Sequence, residues 1–402
     1  MNADTPPQRP SSVDVAPDAF IESQAFESAY GEPLEQTLDL ETWGPGGDLA
    51  GLYERLEEEV RAAVRNEWTM RRTMRTKVLP RLRTRRAAPP GAGYYQASVS
   101  ELERVHRALL FNGAVEACDG TSVMHDTLPA TITQIGVCLV SYQGDQGSWA
   151  QRLYRRDLRN RSGDPFDDVM AVLDERLGSV VDGEERGQLN RLASRGIMAY
   201  AERAILAYKS SASWRIGHGN PVSVDLLTGL GSMQLLTSGM QVLWDLIVGH
   251  RKFLFVPSAP SDRFLVTIGH ALHPLEFAVV DTAKQAMLTI VNGTAYGRTH
   301  RRQVEEFCDE VGEQLVRGVY RASSAAQPYL FYSHVDHVHE AALLAMADSV
   351  LQEHRGFPML IDLADMICRT TFGNDIFTHA VQAAYVSAGA PYRFLPERQT
   401  RS

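Results

Sequence analysis

Cysteine is scarce in this chain: Cys118, Cys138, Cys308 and Cys368 are all that 402 residues contain, and no two form a CxxC pair. That spacing excludes a disulfide framework and predicts reduced, buried thiols in a cytoplasmic protein. Long apolar runs are missing as well. No stretch approaches the roughly 18 residues a membrane helix needs, and the N-terminus MNADTPPQRPSSVDVAPDAF has no apolar signal core, so no membrane partner is expected. Positive net charge is absent, the balance being −9, so any nucleic-acid surface has to be local. No GxxxxGK[ST] pattern occurs, which removes ATP hydrolysis by this chain itself. What is present, 44% hydrophobic and 22% charged residues, suits a globular protein of one large domain or two ordinary ones.

Residues 1–45 are rich in Pro, Ser, Asp and Glu and poor in periodic hydrophobics, and read as a flexible tail. A helical, partly basic region follows over 46–110. Leu49, Leu52, Leu56, Val60 and Val64 recur at helical steps, and the segment then turns basic at Arg71, Arg72, Arg75, Lys77, Arg81, Arg83, Arg85 and Arg86. Such a cluster either follows phosphates or forms a solvated or partner-binding face; Lys252 is a further cation of the same kind. From 111 to 402 the order of strands and helices predicts one mixed α/β sheet covered on its faces. Strand-like runs are expected at 132–142 and 149–156, joined by a hairpin, and at 222–225, 252–257, 264–268, 278–280 and 286–291. Helices are expected at 98–110, 165–208, 233–248, from about 301, at 340–353 and from Pro358.

Four carboxylates stand out. Asp119 closes a strand-like run and is followed by Gly120, which is either a plain hairpin turn or an opening in front of a carboxylate. Asp225 repeats the pattern, with Gly229 and Gly231 close behind. Glu202 lies among apolar and small neighbours on a helix, and Asp365 lies beside the apolar stripe of the helix that starts at Pro358. Brought together, they would repel one another and titrate high unless a hard cation joined them.

These residues resemble a family. The series Asp119-Gly120-Thr121-Ser122, Glu202 on a helix, Val224-Asp225-Leu226-Leu227-Thr228-Gly229, and Gly356-Phe357-Pro358 running to Asp365 is similar to the NurA-type nucleases. The resemblance implies an RNase H-like mixed sheet flanked by helices, with a helical N-terminal extension. It implies Mn²⁺ or Mg²⁺, two ions per site, and phosphodiester hydrolysis in DNA. It also implies homodimers that work with the HerA hexameric translocase in DNA-end processing or phage defence. By that resemblance Asp119, Glu202 and Asp225 are metal ligands, with Asp365 the fourth. The last motif departs from the family's pattern, for Phe357 replaces its tyrosine and Asp365 its histidine.

Two alternatives stay open at this point. The altered last motif fits a non-catalytic scaffold subunit of such a complex. The run His334, Asp336, His337 and His339, with His270 and His273, fits a zinc hydrolase.

Overall fold

Strand residues alternate between two faces, and here the alternation assigns each strand to two helical layers. A computed structural model describes residues 23–44, 49–126, 130–144, 147–157, 164, 166–167, 170, 189–259, 262–294 and 296–391. The chain forms two units, Met1–Thr69 and Met70–Ser402. The first holds α1 (Ser23–Tyr30), α2 (Leu34–Leu38) and most of α3 (Leu49–Thr73). Two short helices therefore fall where the sequence reads as tail; residues 1–22 lie outside the described set.

The second unit is built on nine strands: β1 (Gly93–Gln96), β2 (Val115–Asp126), β3 (Ala130–Val140), β4 (Ser148–Asp157), β5 (Trp214–His218), β6 (Phe253–Val256), β7 (Glu276–Thr282), β8 (Leu315–Arg321) and β9 (Tyr329–His334). Their order is β1-β7-β8-β9-β6-β5-β2-β3-β4. β2, β3 and β4 form an antiparallel meander, and β5 and β6 lie parallel to β2. This meander followed by two parallel strands is the RNase H-like arrangement. An antiparallel half, β9-β8-β7-β1, extends it through β6 at a single register pair, Phe255 with Tyr332.

β6, Phe-Leu-Phe-Val, is buried along its whole length, as a strand covered on both faces must be. Leu254 and Val256 join Ala117, Cys138, Val140 and Ile216 in one core cluster. That cluster is covered by α4 (Val99–Val105), α11 (Val338–Ser349) and α12 (Met359–Phe372). Phe253 and Phe255 face the other way with Cys118, Ile135, Val137 and Leu139. This second face is covered by α5 (Ile197–Tyr208), α6 (Val224–Thr228), α7 (Met233–Trp244), α9 (Lys284–Asn292) and α10 (Arg298–Gln314). A third cluster, Leu79, Leu82, Leu265, Ile268 and Leu272, seats the segment after α3 and helix α8 (Arg263–Ala271) on β7 and β8. The last helix is α13 (Asn374–Ser387).

Three runs expected as strands are helical. Residues 264–268 belong to α8, whose first turn is capped by Asp262 Oδ1 accepting from Leu265 N at 3.1 Å. Residues 286–291 lie in α9, and 222–225 are the entry to α6, where Ser223 Oγ accepts from Leu226 N. In each case a cap or packing against the sheet outweighs β-branched propensity. Conversely, β8 and β9 occupy residues read as one helical block. The expected helix at 98–110 starts with a capping box between Ser98 and Glu101, as its Ser-x-x-Glu spacing directs. Most of the helix expected over 165–188 lies outside the described residues.

Candidate active site

Asp119 does not end its strand. β2 continues seven residues further, and Asp119 sits mid-strand, 4% exposed, on the face covered by α12. Its neighbour is the end of β5: Cys118 pairs with Gly217 in parallel register, which brings His218 alongside. His218 Nδ1 lies 3.4 Å from Asp119 Oδ1, and its Nε2 lies 3.0 Å from Ser258 Oγ. The ring edge rests on Phe357, with centroids 6.0 Å apart. The bond to Asp119, reinforced by the charges of Asp119, Glu202 and Asp365, holds the His218 pKa above its ordinary value against burial. Asp119 thus selects the tautomer with a proton on Nδ1, leaving Nε2 of the neutral ring to accept from Ser258.

Glu202 comes from the opposite layer, on α5, and reaches the sheet at Gly120. A Cβ on Gly120 would stand 2.6 Å from Glu202 Oε1 and 3.0 Å from Met198 Cγ. Gly120 is therefore not a turn residue, since it is paired with Val137 within the sheet. Its missing side chain is what lets the Glu202 carboxylate lie against the strand that carries Asp119. Burial pushes the Glu202 pKa up to about 7, helped by the Asp119 charge and opposed by Arg203 and His218.

Arg203 is buried and touches the Glu202 carboxylate. It also donates to Asn220 O at 2.7 Å and Pro221 O at 3.3 Å, and its guanidinium lies 5.5 Å from the Phe255 ring. One cation so fixes both Glu202 and the loop that follows His218. Sequence reading passed over His218 and Arg203. The signal for His218 was the alternation Trp214-Arg215-Ile216-Gly217-His218, which marks a strand ending in a titratable group.

The remaining predicted residues divide. Asp365 is on α12, partly exposed, 3.2 Å from Arg369, and its charge acts on His218. Asp225 is on the first turn of α6 rather than at a strand end, and its carboxylate is 3.8 Å from Arg191. The structure therefore sets His218 beside Asp119, brings Glu202 to Gly120 of the same strand from the other layer, leaves Asp365 within electrostatic reach, and pairs Asp225 with Arg191. Because Glu202 arrives from the other layer, no group of three or more His, Cys, Asp or Glu side chains among the described residues stands ready to hold a metal ion. Phe357 is 2% exposed and packs on Tyr329 and His218, a core role that needs no hydroxyl.

The histidines of the zinc reading do not converge. His334 is buried and bonded to Gln314, with its Nδ1 accepting from Asp336 N. His337 pairs with Glu340, and His339 packs edge-on against the stacked Tyr95 and Phe277 rings. The basic segment also separates. Arg75 donates twice to Glu276 and once to Ala271 O. Burial raises the Glu276 pKa, but the bonds from Arg75 and His273 N outweigh it and the carboxyl stays low. Arg83 and Arg85 lie over Tyr95 and Phe264. Arg72, Lys77, Arg81 and Lys252 are exposed, and Arg71 is half-buried.

Beside His218 a cavity of about 290 Å³ opens, lined also by Asn220, Pro257, Ser258, Leu330 and Tyr332. Among the described residues, no helix is long and apolar enough to cross a membrane.

No protein-family model matches the chain, and no curated protein matches it. Among solved structures it is similar to NurA nucleases over most of its length. The NurA nuclease from Sulfolobus solfataricus aligns at 9% identity with a TM-score of 0.40, covering 86% of this chain and 99% of that one. A NurA structure with manganese aligns at 10% identity and TM-score 0.35, over 72% and 96%. One bound to dAMP and manganese aligns at 10% and 0.34, over 79% and 92%.

Proposed function

We propose that this chain is a divalent-metal-dependent nuclease that hydrolyses phosphodiester bonds in DNA and works with a HerA-like ATP-driven translocase. The observation that carries the reading is that two acidic side chains converge on adjacent residues of the central strand of an RNase H-like sheet: Asp119, buried on one face, and Glu202, reaching Gly120 from the other, close enough for the Asp119 charge to help burial raise Glu202 to about 7. Left alone, such a pair destabilises its own ionised form. A hard cation restores it, and oxygen donors with one imidazole suit Mn²⁺ or Mg²⁺.

Asp119 and Glu202 would hold the ion, with Asp365 adding charge at the rim. Bound there, a divalent ion supplies Lewis acidity and a more acidic water for attack on phosphorus. The chain's own residues do the positioning. His218 fixes the Asp119 carboxylate through Nδ1, Arg203 fixes Glu202, and the Phe357 ring supports His218 edge-on. Exposed Arg72, Lys77, Arg81 and Lys252 supply phosphate or partner contacts. ATP hydrolysis has to come from a second protein.

The test is cleavage of linear DNA with Mn²⁺, with and without the translocase, in wild type, Asp119→Asn and Glu202→Gln. Loss of cleavage in both variants, with folding retained, supports the reading. Cleavage undiminished in both sinks it.

A further inference from the structure

His218 has a second polar neighbour besides Asp119. Its Nε2 lies 3.0 Å from Ser258 Oγ, while its Nδ1 faces Asp119 Oδ1 at 3.4 Å. A buried carboxylate on one ring nitrogen and a hydroxyl on the other is the geometry of a serine nucleophile with its base. The carboxylate keeps a proton on Nδ1, which leaves the lone pair of Nε2 for the hydroxyl. Such a trio is recognised by these contacts and not by sequence order, so Val256-Pro257-Ser258-Ala259 needs no glycines around its serine.

The fold sets these residues where a small molecule can reach them. Asp119 is buried on β2, His218 closes β5, and Ser258 stands exposed two residues beyond β6. Gly219 N donates to Val256 O at 3.1 Å, which ties the ends of β5 and β6 together and brings the imidazole beside the hydroxyl. β6 runs parallel to β5 and antiparallel to β9. Open α/β sheets take their ligands outside the carboxyl ends of parallel strands, where the strand order changes. The cavity of about 290 Å³ beside His218 lies there, and Ser258 is part of its wall. That volume is at the small end for ligand sites. Pro257, Ala259, Leu330 and Tyr332 give the described lining an apolar character, and it holds no Asp, Glu, Lys or Arg. A short uncharged acyl chain suits such a wall better than a phosphate, whose charge would be left unpaired. Asn220 adds a polar donor to the lining: its Oδ1 accepts from Val222 N at 3.0 Å, so its amide N–H groups are what it can offer an oxyanion.

We propose that Ser258 is the nucleophile of a second catalytic site that acts on short uncharged carboxylic esters, with His218 its general base and Asp119 the residue that orients His218. Ser258 Oγ bonds to the ester carbonyl carbon while His218 Nε2 takes its proton. The carbon–alkoxy bond then breaks, and the alcohol departs with the proton from Nε2. Water attacks the acyl-serine by the same route, releasing a carboxylic acid and restoring the hydroxyl, so that ester and water become acid and alcohol. Neither Glu202 nor a metal ion takes part, and this chemistry stands apart from phosphodiester hydrolysis.

The test uses the full chain in EDTA with a fluorophosphonate probe and with p-nitrophenyl butyrate. Wild type is expected to carry the phosphonyl group on Ser258, read by peptide mass, and to release p-nitrophenol. Ser258→Ala, at an exposed position, should fold with unchanged helix content, take up no probe and lose ester hydrolysis. His218→Gln should slow labelling of Ser258 by at least about 10²-fold, the least that a general base contributes. Glu202→Gln should label as wild type does while it loses DNA cleavage, so the two activities fail separately. No label on the native wild type, a label only on another residue, equal labelling of the heat-unfolded chain, or ester hydrolysis undiminished in Ser258→Ala overturns the proposal.

Discussion

Two buried carboxylates in this protein titrate high, and they differ in company. Asp348, at the end of α11, is completely buried, and burial pushes its pKa up to about 6. Its two oxygens are both used: Tyr142 donates its hydroxyl to Oδ1, and Leu360 N donates to Oδ2 at 2.9 Å. It ties the segment after β3 and the first turn of α12 to α11, and the charge of Asp362 adds to its rise. Glu202 is pushed to about 7 by burial as well, but its neighbours are an arginine, a histidine and a second carboxylate. A raised pKa therefore does not separate a working acid from a structural one. The neighbouring carboxylate does. The one that acts on Asp348, Asp362, is already paired with Arg355 and Gln352. The one that acts on Glu202, Asp119, is buried with His218 beside it, and such repulsion is relieved by a proton or a cation.

Substitutions can sharpen that contrast. The largest effect is expected at the paired carboxylates. Asp119→Asn or Glu202→Gln should reduce DNA cleavage by at least about 10²-fold, since even the outer partners of a metal site are worth 10–100-fold. Thermal unfolding should show either variant folded, and Glu202→Gln at least as stable as wild type at pH 7. Next comes Gly120→Ala, whose Cβ would collide with Glu202 Oε1. It should cost about 1–3 kcal/mol by overpacking and lower cleavage as Glu202 is displaced. Full activity in this variant would contradict the close approach.

Asp348→Asn should leave cleavage near wild type and change the pH dependence of stability instead. The folded-state pKa is raised above its ordinary value, so the contribution is present below about pH 4 and lost as pH rises through about 6. Wild type should lose about 2 kcal/mol more than Asp348→Asn between pH 4 and pH 7, read by urea unfolding at each pH. Equal slopes would refute the assignment. The smallest effect is expected at Asp225. With its carboxylate near Arg191 on α6, Asp225→Asn should change cleavage by less than about twofold, and a larger loss would return it to the site.

Much of this was legible in the sequence, for reasons that differ by residue. The meander of β2, β3 and β4 follows from alternation and a Gly-rich hairpin, and α12 from its Pro start and apolar stripe. The burial of Asp119 and the inward placement of Glu202 were legible because both stand among small or apolar neighbours. Asp225 misled because Val222-Ser223-Val224 reads as a strand by propensity, whereas Ser223 uses its hydroxyl to cap a helix. His218 was passed over because its importance comes from β5 lying parallel to β2, a pairing between residues about a hundred apart that no local pattern records. The role of Gly120 was likewise hidden, since its neighbour Glu202 belongs to the other layer.

Helix α12 closes over β2 and β3, with Cys368 Sγ bonded to Gly136 O at 3.3 Å and the Phe372 ring lying where a Cβ on Gly136 would stand. During synthesis, β2 to β6 leave the ribosome long before residue 372 does, and domains assemble as their segments emerge. The face that bears Asp119 and His218 stays uncovered until nearly the whole chain has been made. A truncated product ending before α12 would carry both residues but not Asp365 at the rim.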